Sequence, residues 1–173
     1  MPPDCPYFLN SPRLAFRTWT LQDVPLALIL WGHPDVTKSI GGPFSESQIL
    51  ERLSREVSHQ LAYNSQYWPV FSSDTGEFAG CCGIHPYDLE KQMFELGYHF
   101  LPQFWGKGLA TEAGQAVICY AFGTLGLTSI FAGHHPGNRP SKRVLEKLGF
   151  RHIGDELYPP TGLLNPLYVR TRF

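Results

Sequence analysis

The sequence predicts an α+β fold: a central, mixed and mostly antiparallel sheet with helices packed on it. Three observations carry that prediction. Residues 13–19, 67–72 and 77–84 alternate or run apolar with the period of strands, and turn-forming residues separate the last two. Ile49, Leu53, Val57 and Leu61 recur every four positions, the spacing of one helix face. An apolar run over 94–101 leads through Gly106 and Gly108 into a helix-like stretch, so a strand turns into a helix at two glycines.

Residues 1–11 are polar and proline-rich and predict a loose lead-in. Over 13–19, Leu14 and Phe16 share one face of a strand while Arg13 and Arg17 take the other. Asp23 offers an N-cap to a short helix with Leu26, Leu28, Ile29 and Leu30 that reaches Trp31. Residues 32–44 then form a loop, a natural seat for substrate selection on a rigid scaffold. Ser45 and Gln48 have capping-box spacing in front of the Ile49 helix, whose other face is charged and wet. Residues 67–84 read as a hairpin turning at 73–76, with Pro69 predicting an edge position or a bulge.

A polar turn over 88–92 leads to a further strand at 93–101. From Leu109 a helix carries Ala113, Ala116, Val117, Tyr120 and Ala121 inward and ends near Gly123 and Gly126. Residues 128–132 make a short buried strand. Asn138 opens a helix containing Val144, Leu145 and Leu148, with Pro140 in its first turn, and Gly149 stops it. Two closing strands, 150–157 and 167–173, flank the loop at 159–162.

At 173 residues the chain has the length of one domain with a real core. A net charge of −1, with 17% charged residues, supplies no polybasic face for nucleic acid. No apolar run reaches the roughly 18 residues that span a bilayer, and residues 1–12 lack a basic-then-apolar leader. No membrane partner is expected, and the expected location is cytoplasmic. Cys5, Cys81, Cys82 and Cys119 lack Cys-x-x-Cys spacing, and the adjacent pair points to opposite faces of a strand. Reduced structural thiols and no metal site follow.

The main functional signal is Gln-Phe-Trp-Gly-Lys-Gly-Leu-Ala-Thr at 103–111. The first turn of a helix has amides without intrahelical acceptors, and with the helix dipole they attract an anion. Gly106 and Gly108 remove the Cβ atoms that would hold a bulky phosphate away. The pattern lacks the Gly-x-Gly-x-x-Gly of dinucleotide domains and the Gly-Lys-Ser/Thr of nucleotide-triphosphate loops. Taken with Arg13-Leu-Ala-Phe-Arg-Thr-Trp19 and Asp23, with Gly97-Tyr98, and with residues 138–150, it resembles the GNAT superfamily of acyl-CoA-dependent N-acetyltransferases, closely its RimJ/RimL-like branch. The resemblance runs in order through nearly the whole chain.

What the resemblance implies is specific. A single domain over 1–173 would carry about seven strands and about four helices. Its fourth and fifth strands, about 93–101 and 128–134, would splay so that a pantetheine arm lies between them. Acetyl-CoA is the implied co-substrate, with its pyrophosphate wrapped by Gln103, Gly106, Lys107, Gly108, Leu109, Ala110 and Thr111. Trp105 fits packing beside that turn better than ligation. The thioester would sit by residues 97–101, including Phe100 and Leu101, where a backbone N–H can stabilise an oxyanion. Asn138 caps its helix, and in such relatives the matching asparagine also contacts CoA. The matching serine lies near the sulfur, so Ser141 is the implied weak acid. The chain departs from the commoner pattern at Leu145, where many members carry the tyrosine that protonates the thiolate; Ser141 or water must take that part.

The base is less determined. An α-amine has a pKa of roughly 7.7–8.0 and a lysine roughly 10.4, so deprotonation at pH 7 costs about 1 and about 5 kcal/mol respectively. Glu95 and His99 share a strand face and are the candidates, with His134 and His135 as further possibilities. The expected activity is transfer of an acetyl group from acetyl-CoA to a primary amine, a protein N-terminus or a small amine such as a polyamine, by direct attack in a ternary complex. Acetylation of an amine-bearing antibiotic, and a non-catalytic acyl-CoA-binding module, are the alternatives. A monomer or homodimer is expected.

Overall fold

The computed structural model describes residues 7–173. Residues 1–6, and with them Cys5, lie outside the described part. What remains of the predicted lead-in is not loose. Leu9–Asn10 (β1) pairs with Leu14–Phe16 (β2), and the Phe8 ring packs edge-on against Trp68 and Tyr120.

Among the described residues the sheet has eight strands in the order β1-β2-β3-β4-β5-β6-β8-β7. The others are Tyr67–Ser72 (β3), Phe78–Asp88 (β4), Met93–Phe100 (β5), Ser129–Gly133 (β6), Arg151–Tyr158 (β7) and Leu163–Thr171 (β8). All neighbours run antiparallel except β5 and β6, which are parallel. The extra strand over the expected seven is β1. Pro69 is no edge residue, since β3 lies between β2 and β4; the register shifts just beyond it, between Val70 and Phe71, where the missing N–H is tolerated.

Five helices pack on this sheet: Val24–Trp31 (α1), Pro34–Thr37 (α2), Glu46–Tyr63 (α3), Leu109–Gly123 (α4) and Arg139–Lys147 (α5). The stretch expected as a loop therefore holds one extra turn of helix, α2, begun by Pro34 and capped by the His33 ring, which accepts from Asp35 N at 3.2 Å. Asp23 precedes α1 but does not cap it. Its carboxylate accepts instead from Thr20 N at 2.8 Å and from the Arg17 guanidinium in a two-pronged pair at 2.7 and 2.8 Å. Ser45 and Gln48 form the expected capping box of α3.

The buried stripe of α3 is shifted from the one read in the sequence. Ile49 and Leu53 are buried, but Leu61 is exposed and the next buried position is Glu56, 1% accessible. The helix turns a carboxylate toward the sheet. An unpaired carboxylate there would cost several kcal/mol, so its partners matter. On the opposite face α4 buries Leu109, Ala113, Gly114, Val117, Ile118 and Ala121, and α5 buries Leu145. Thus α1 and α3 cover one side of β4 and β5, and α4 with α5 covers the other. Gly149, at φ +76°, ends α5 as expected. Among the described residues no helix is long and apolar enough to cross a membrane.

Candidate active site

The strand-to-helix turn has the geometry its glycines predict. Gly106 and Gly108 have φ of +72° and +76°, the left-handed region where a Cβ is strained. Nothing lies within 4 Å of a Cβ built on Gly106, so that position faces open space. The amides of Gly106, Lys107, Gly108, Leu109, Ala110 and Thr111 have no main-chain acceptor among the described residues; the first bond of the helix is Glu112 N to Gly108 O at 3.1 Å. A row of free donors at the positive end of a helix dipole is an anion cradle.

That cradle is braced by residues the sequence reading did not assign to it. The Glu112 carboxylate, in the first turn of α4, accepts from Ser11 Oγ at 2.7 Å, Arg13 N at 2.8 Å and Arg13 Nε at 2.7 Å. Arg13 Nη1 also donates to Lys107 O at 3.0 Å. Burial by itself would raise the Glu112 carboxyl, but these bonds outweigh it and hold the group below its usual range. The β1–β2 hairpin is thereby tied to the glycine turn. Exposed Trp105 donates from Nε1 to Phe100 O at 2.6 Å, and Lys107 Nζ stands over the Phe104 ring; Gln103 is exposed beside them.

Ahead of the cradle, β5 and β6 pair at a single position, Glu95 opposite Phe131. Beyond it the strands part, leaving open main-chain groups on that edge around Tyr98, while Phe100 O is taken by Trp105 Nε1 and Leu101 N by Ala79 O. Asn138 Oδ1 accepts from Ser141 N at 3.1 Å, the expected cap, and this fixes Ser141 in the first turn of α5. Ser141 Oγ lies 2.8 Å from the hydroxyl of Tyr98 on β5, and burial keeps that phenol protonated well above its usual range. The hydroxyl expected at position 145 in other members is thus matched by one arriving from the strand, while Leu145 itself is core. Strand alternation places Tyr98 on the face opposite Glu95, Gly97 and His99, and only the latter look toward α3.

The α3 side is crowded with polar groups. Glu56 Oε2 accepts from Tyr67 N and from His85 Nε2, both at 2.8 Å. The Tyr67 ring stacks on His85 with centroids 3.6 Å apart and crosses over Gly97, where a Cβ would meet it at 2.2 Å. Only glycine fits there. His85 lies directly across from Glu95 in the β4–β5 ladder, and Cys81 across from His99. Burial, then the Glu156 carboxylate, pushes Glu95 up to about 7. His99 Nδ1 accepts from the Trp31 indole at 3.2 Å, and burial, then the charges of Arg52 and His85, hold that ring well below its usual value. The loop around α2 meets the β7–β8 turn over this region. Tyr158 donates to Ile40 O at 3.4 Å, and Gly41 lies against Pro160.

Residues 13–151 match the acetyltransferase (GNAT) domain family. The chain belongs to that family. It is 33% identical over 148 residues to an uncharacterized N-acetyltransferase, p20, of Bacillus licheniformis, covering 84% of this chain and 83% of that one. In structure it is similar to a GNAT-family acetyltransferase from Bacillus anthracis, with a TM-score of 0.80 and 26% identity over 94% of this chain and 97% of that one. A RimL ribosomal-protein α-N-acetyltransferase solved with coenzyme A has the same fold, with a TM-score of 0.79 at 17% identity over 93% and 95% of the chains.

As a GNAT acetyltransferase the protein takes acetyl-CoA as co-substrate, and the residues present fit it: glycines at positive φ, free amides over 106–111 and an unzipped strand edge. The structure brings Glu95 and His99 onto one face and Ser141 with Asn138 onto the other. The further candidates differ: His134 has both ring nitrogens in contact, while His135 commits only Nδ1. His134 contacts His135 O and Tyr168 Oη through its two ring nitrogens, and His135 Nδ1 accepts from Gly137 N. Glu56, His85 and Tyr98 are additions to the residues expected from sequence. Among the described residues no trio of His, Cys, Asp or Glu is placed to hold a metal ion.

Proposed function

We propose that the enzyme transfers an acetyl group from acetyl-CoA to a primary amine by direct attack in a ternary complex, the amine being a protein N-terminus or a small molecule, as expected of a RimJ/RimL-like member. The observation that carries this reading is the two-sidedness of β5 at the splay. One face offers a carboxyl held at about 7, Glu95, and the other a paired hydroxyl, Ser141 with Tyr98. Acetyl-CoA supplies the acyl group as a thioester. Glu95, once ionised, accepts the proton that the amine loses as it attacks. A carboxyl poised near neutrality suits that task, because a base works best when its pKa lies near the working pH.

His99 serves as a fixed neutral ring, with Nδ1 committed to the Trp31 indole. Ser141 Oγ, with the Tyr98 phenol behind it, returns a proton to the departing sulfur. The main-chain donors over 106–111, together with Asn138, hold the donor substrate by its phosphates and orient it. Support for this division comes from strand alternation, by which Glu95 and Tyr98 lie on opposite faces of β5, and from the parting of β5 and β6 beyond Glu95.

The test is incubation with acetyl-CoA and panels of peptides, polyamines and aminoglycosides while free thiol is followed. Acetylated peptide or polyamine with stoichiometric thiol is the expected result. Tight CoA binding with no thiol above the hydrolysis background would assign the domain to binding alone, and turnover confined to aminoglycosides would make it a drug-modifying enzyme.

A further inference from the structure

Three side chains on one stripe of α3 have buried polar atoms without a hydrogen-bond partner: Arg52 Nε, Glu56 Oε1 and His59 Nδ1. They are spaced four and three residues apart, so they lie along one face of the helix, the face turned to β4 and β5. Folded proteins pair nearly all such atoms, and three together point to a ligand. Arg52 and Glu56, although one turn apart, do not pair with each other. Glu56 is 1% accessible and spends its other oxygen on Tyr67 and His85.

Arg52 is the cation of the set. It forms no ion pair or hydrogen bond among the described residues, in contrast to Arg13 with Glu112 and Arg17 with Asp23. Its guanidinium is nevertheless held in place, 4.8 Å from the Trp31 ring centroid and 5.9 Å from that of Phe44. Trp31 in turn bonds His99, so Arg52 stands over the His99 end of β5, while Glu95 lies four residues away on the same face. That separation is on the order of 13 Å along the strand. Burial raises the Tyr158 phenol, and the charges of Arg52, which lowers it, and Glu95, which raises it, act on it to a smaller extent. A guanidinium stacked between two rings with its edge unpaired is a carboxylate receptor, since its planar fork matches two oxygens.

We propose that Arg52 anchors a carboxylate of the acceptor, so that the substrate is a primary amine carrying an anionic group. The amine lies at Glu95 and the carboxylate lies at Arg52. The inference rests on the acetyltransferase reading of the site. The interval between the two ends corresponds to about four residues of extended chain, which fits a peptide with an acidic residue close to its N-terminus.

The experiment uses the whole protein with acetyl-CoA and matched acceptors that differ only in a carboxylate or its carboxamide. One set is tetrapeptides with Asp or Asn at the second and third positions, the other is free amino acids and their amides, and spermidine is the cationic control. Wild type is expected to favour the carboxylate member by about tenfold or more in kcat/KM, chiefly through KM. The set in which that preference is larger identifies the source of the carboxylate. Arg52→Met, which keeps the stem packed on Trp31, is expected to collapse the ratio toward one, and Arg52→Lys to retain part of it. A ratio near one in wild type, a ratio unchanged in Arg52→Met, or preference for spermidine would each overturn the assignment while leaving the acetyltransferase standing. Absence of thiol release across all three sets would overturn both.

Discussion

On the α4 side of β5 the polar atoms that contact one another are matched: Ser141 with Tyr98, Asn138 with the Ser141 amide, Glu112 with Ser11 and Arg13. The groups left open there are main-chain amides, fixed in place by the turn itself. On the α3 side the groups without a hydrogen-bond partner are charged or titratable side chains, Arg52, Glu56 and His59 along α3 and Glu95 on β5, buried at a cost in desolvation. On the proposed reading, one side would recognise its substrate with the backbone and the other with side chains. An invariant partner such as CoA suits the first, because a backbone cradle needs only positive-φ glycines. A particular amine suits the second, because unpaired charges discriminate by what they are left without.

The difference is sharpest if the backbone side is broken first. Gly106→Val places a β-branched side chain at φ +72°, and its Cβ projects into the open space over the cradle. CoA affinity is expected to fall on the order of a hundredfold or more, measured by calorimetric titration, with the circular dichroism spectrum and the melting transition retained. Retained affinity would mean that the phosphates are held elsewhere.

The acceptor side breaks in a different way. Glu95→Gln is expected to lower kcat/KM by roughly a hundredfold or more while CoA binding persists. Its pH dependence is the finer probe. Because Glu95 keeps its proton up to about 7, the base form appears only as pH rises through that value, so wild-type kcat/KM, referred to the neutral form of the amine, should climb with pH and level off above it. In the glutamine variant that inflection should vanish. A profile that still rises near 7 would transfer the role of base to another group, with His85, fixed by Glu56, the next to test.

How much of this was readable from the sequence divides along the same line. The cradle was legible because its signals are local. Gly106 and Gly108 precede the helix they serve, and Asn138 caps a helix whose third residue is Ser141. The fold was legible from the order of strand and helix patterns, apart from short pieces such as β1 and α2 that are set by a few contacts. The acceptor side was not legible, because its pairs are distant in the chain. Glu56 meets His85 across 29 positions, and Trp31 meets His99 across 68. The four-residue spacing points to Val57 and Leu61 as the continuation of the apolar stripe and gives no sign that a carboxylate, Glu56, is buried beside them. The spacing from Ile49 and Leu53 puts 56 on the buried face as well as 57, and only the Tyr67 main-chain N–H and the His85 ring decide for the carboxylate.

Returning to the paired side, Ser141→Ala is expected to reduce kcat by about tenfold with CoA affinity unchanged, in keeping with loss of a weak acid. If kcat is unaffected, water protonates the sulfur and the Ser141–Tyr98 contact is structural only.

The smallest change is the most informative about how the two hydroxyls share that work. Tyr98→Phe removes only an oxygen, from a ring that is held between Ser141 and the strand, and the phenylalanine should pack in its place. If Tyr98 acts through Ser141, the loss is the strengthening of one donor by another, about threefold to fivefold in kcat. The double variant then decides. Where the two hydroxyls form one relay, Ser141→Ala with Tyr98→Phe should be no slower than Ser141→Ala alone, because the phenol has nothing left to act on. Multiplying penalties would instead mean that Tyr98 reaches the sulfur on its own account, so that the strand tyrosine replaces the helix tyrosine of other members directly, without the serine between them.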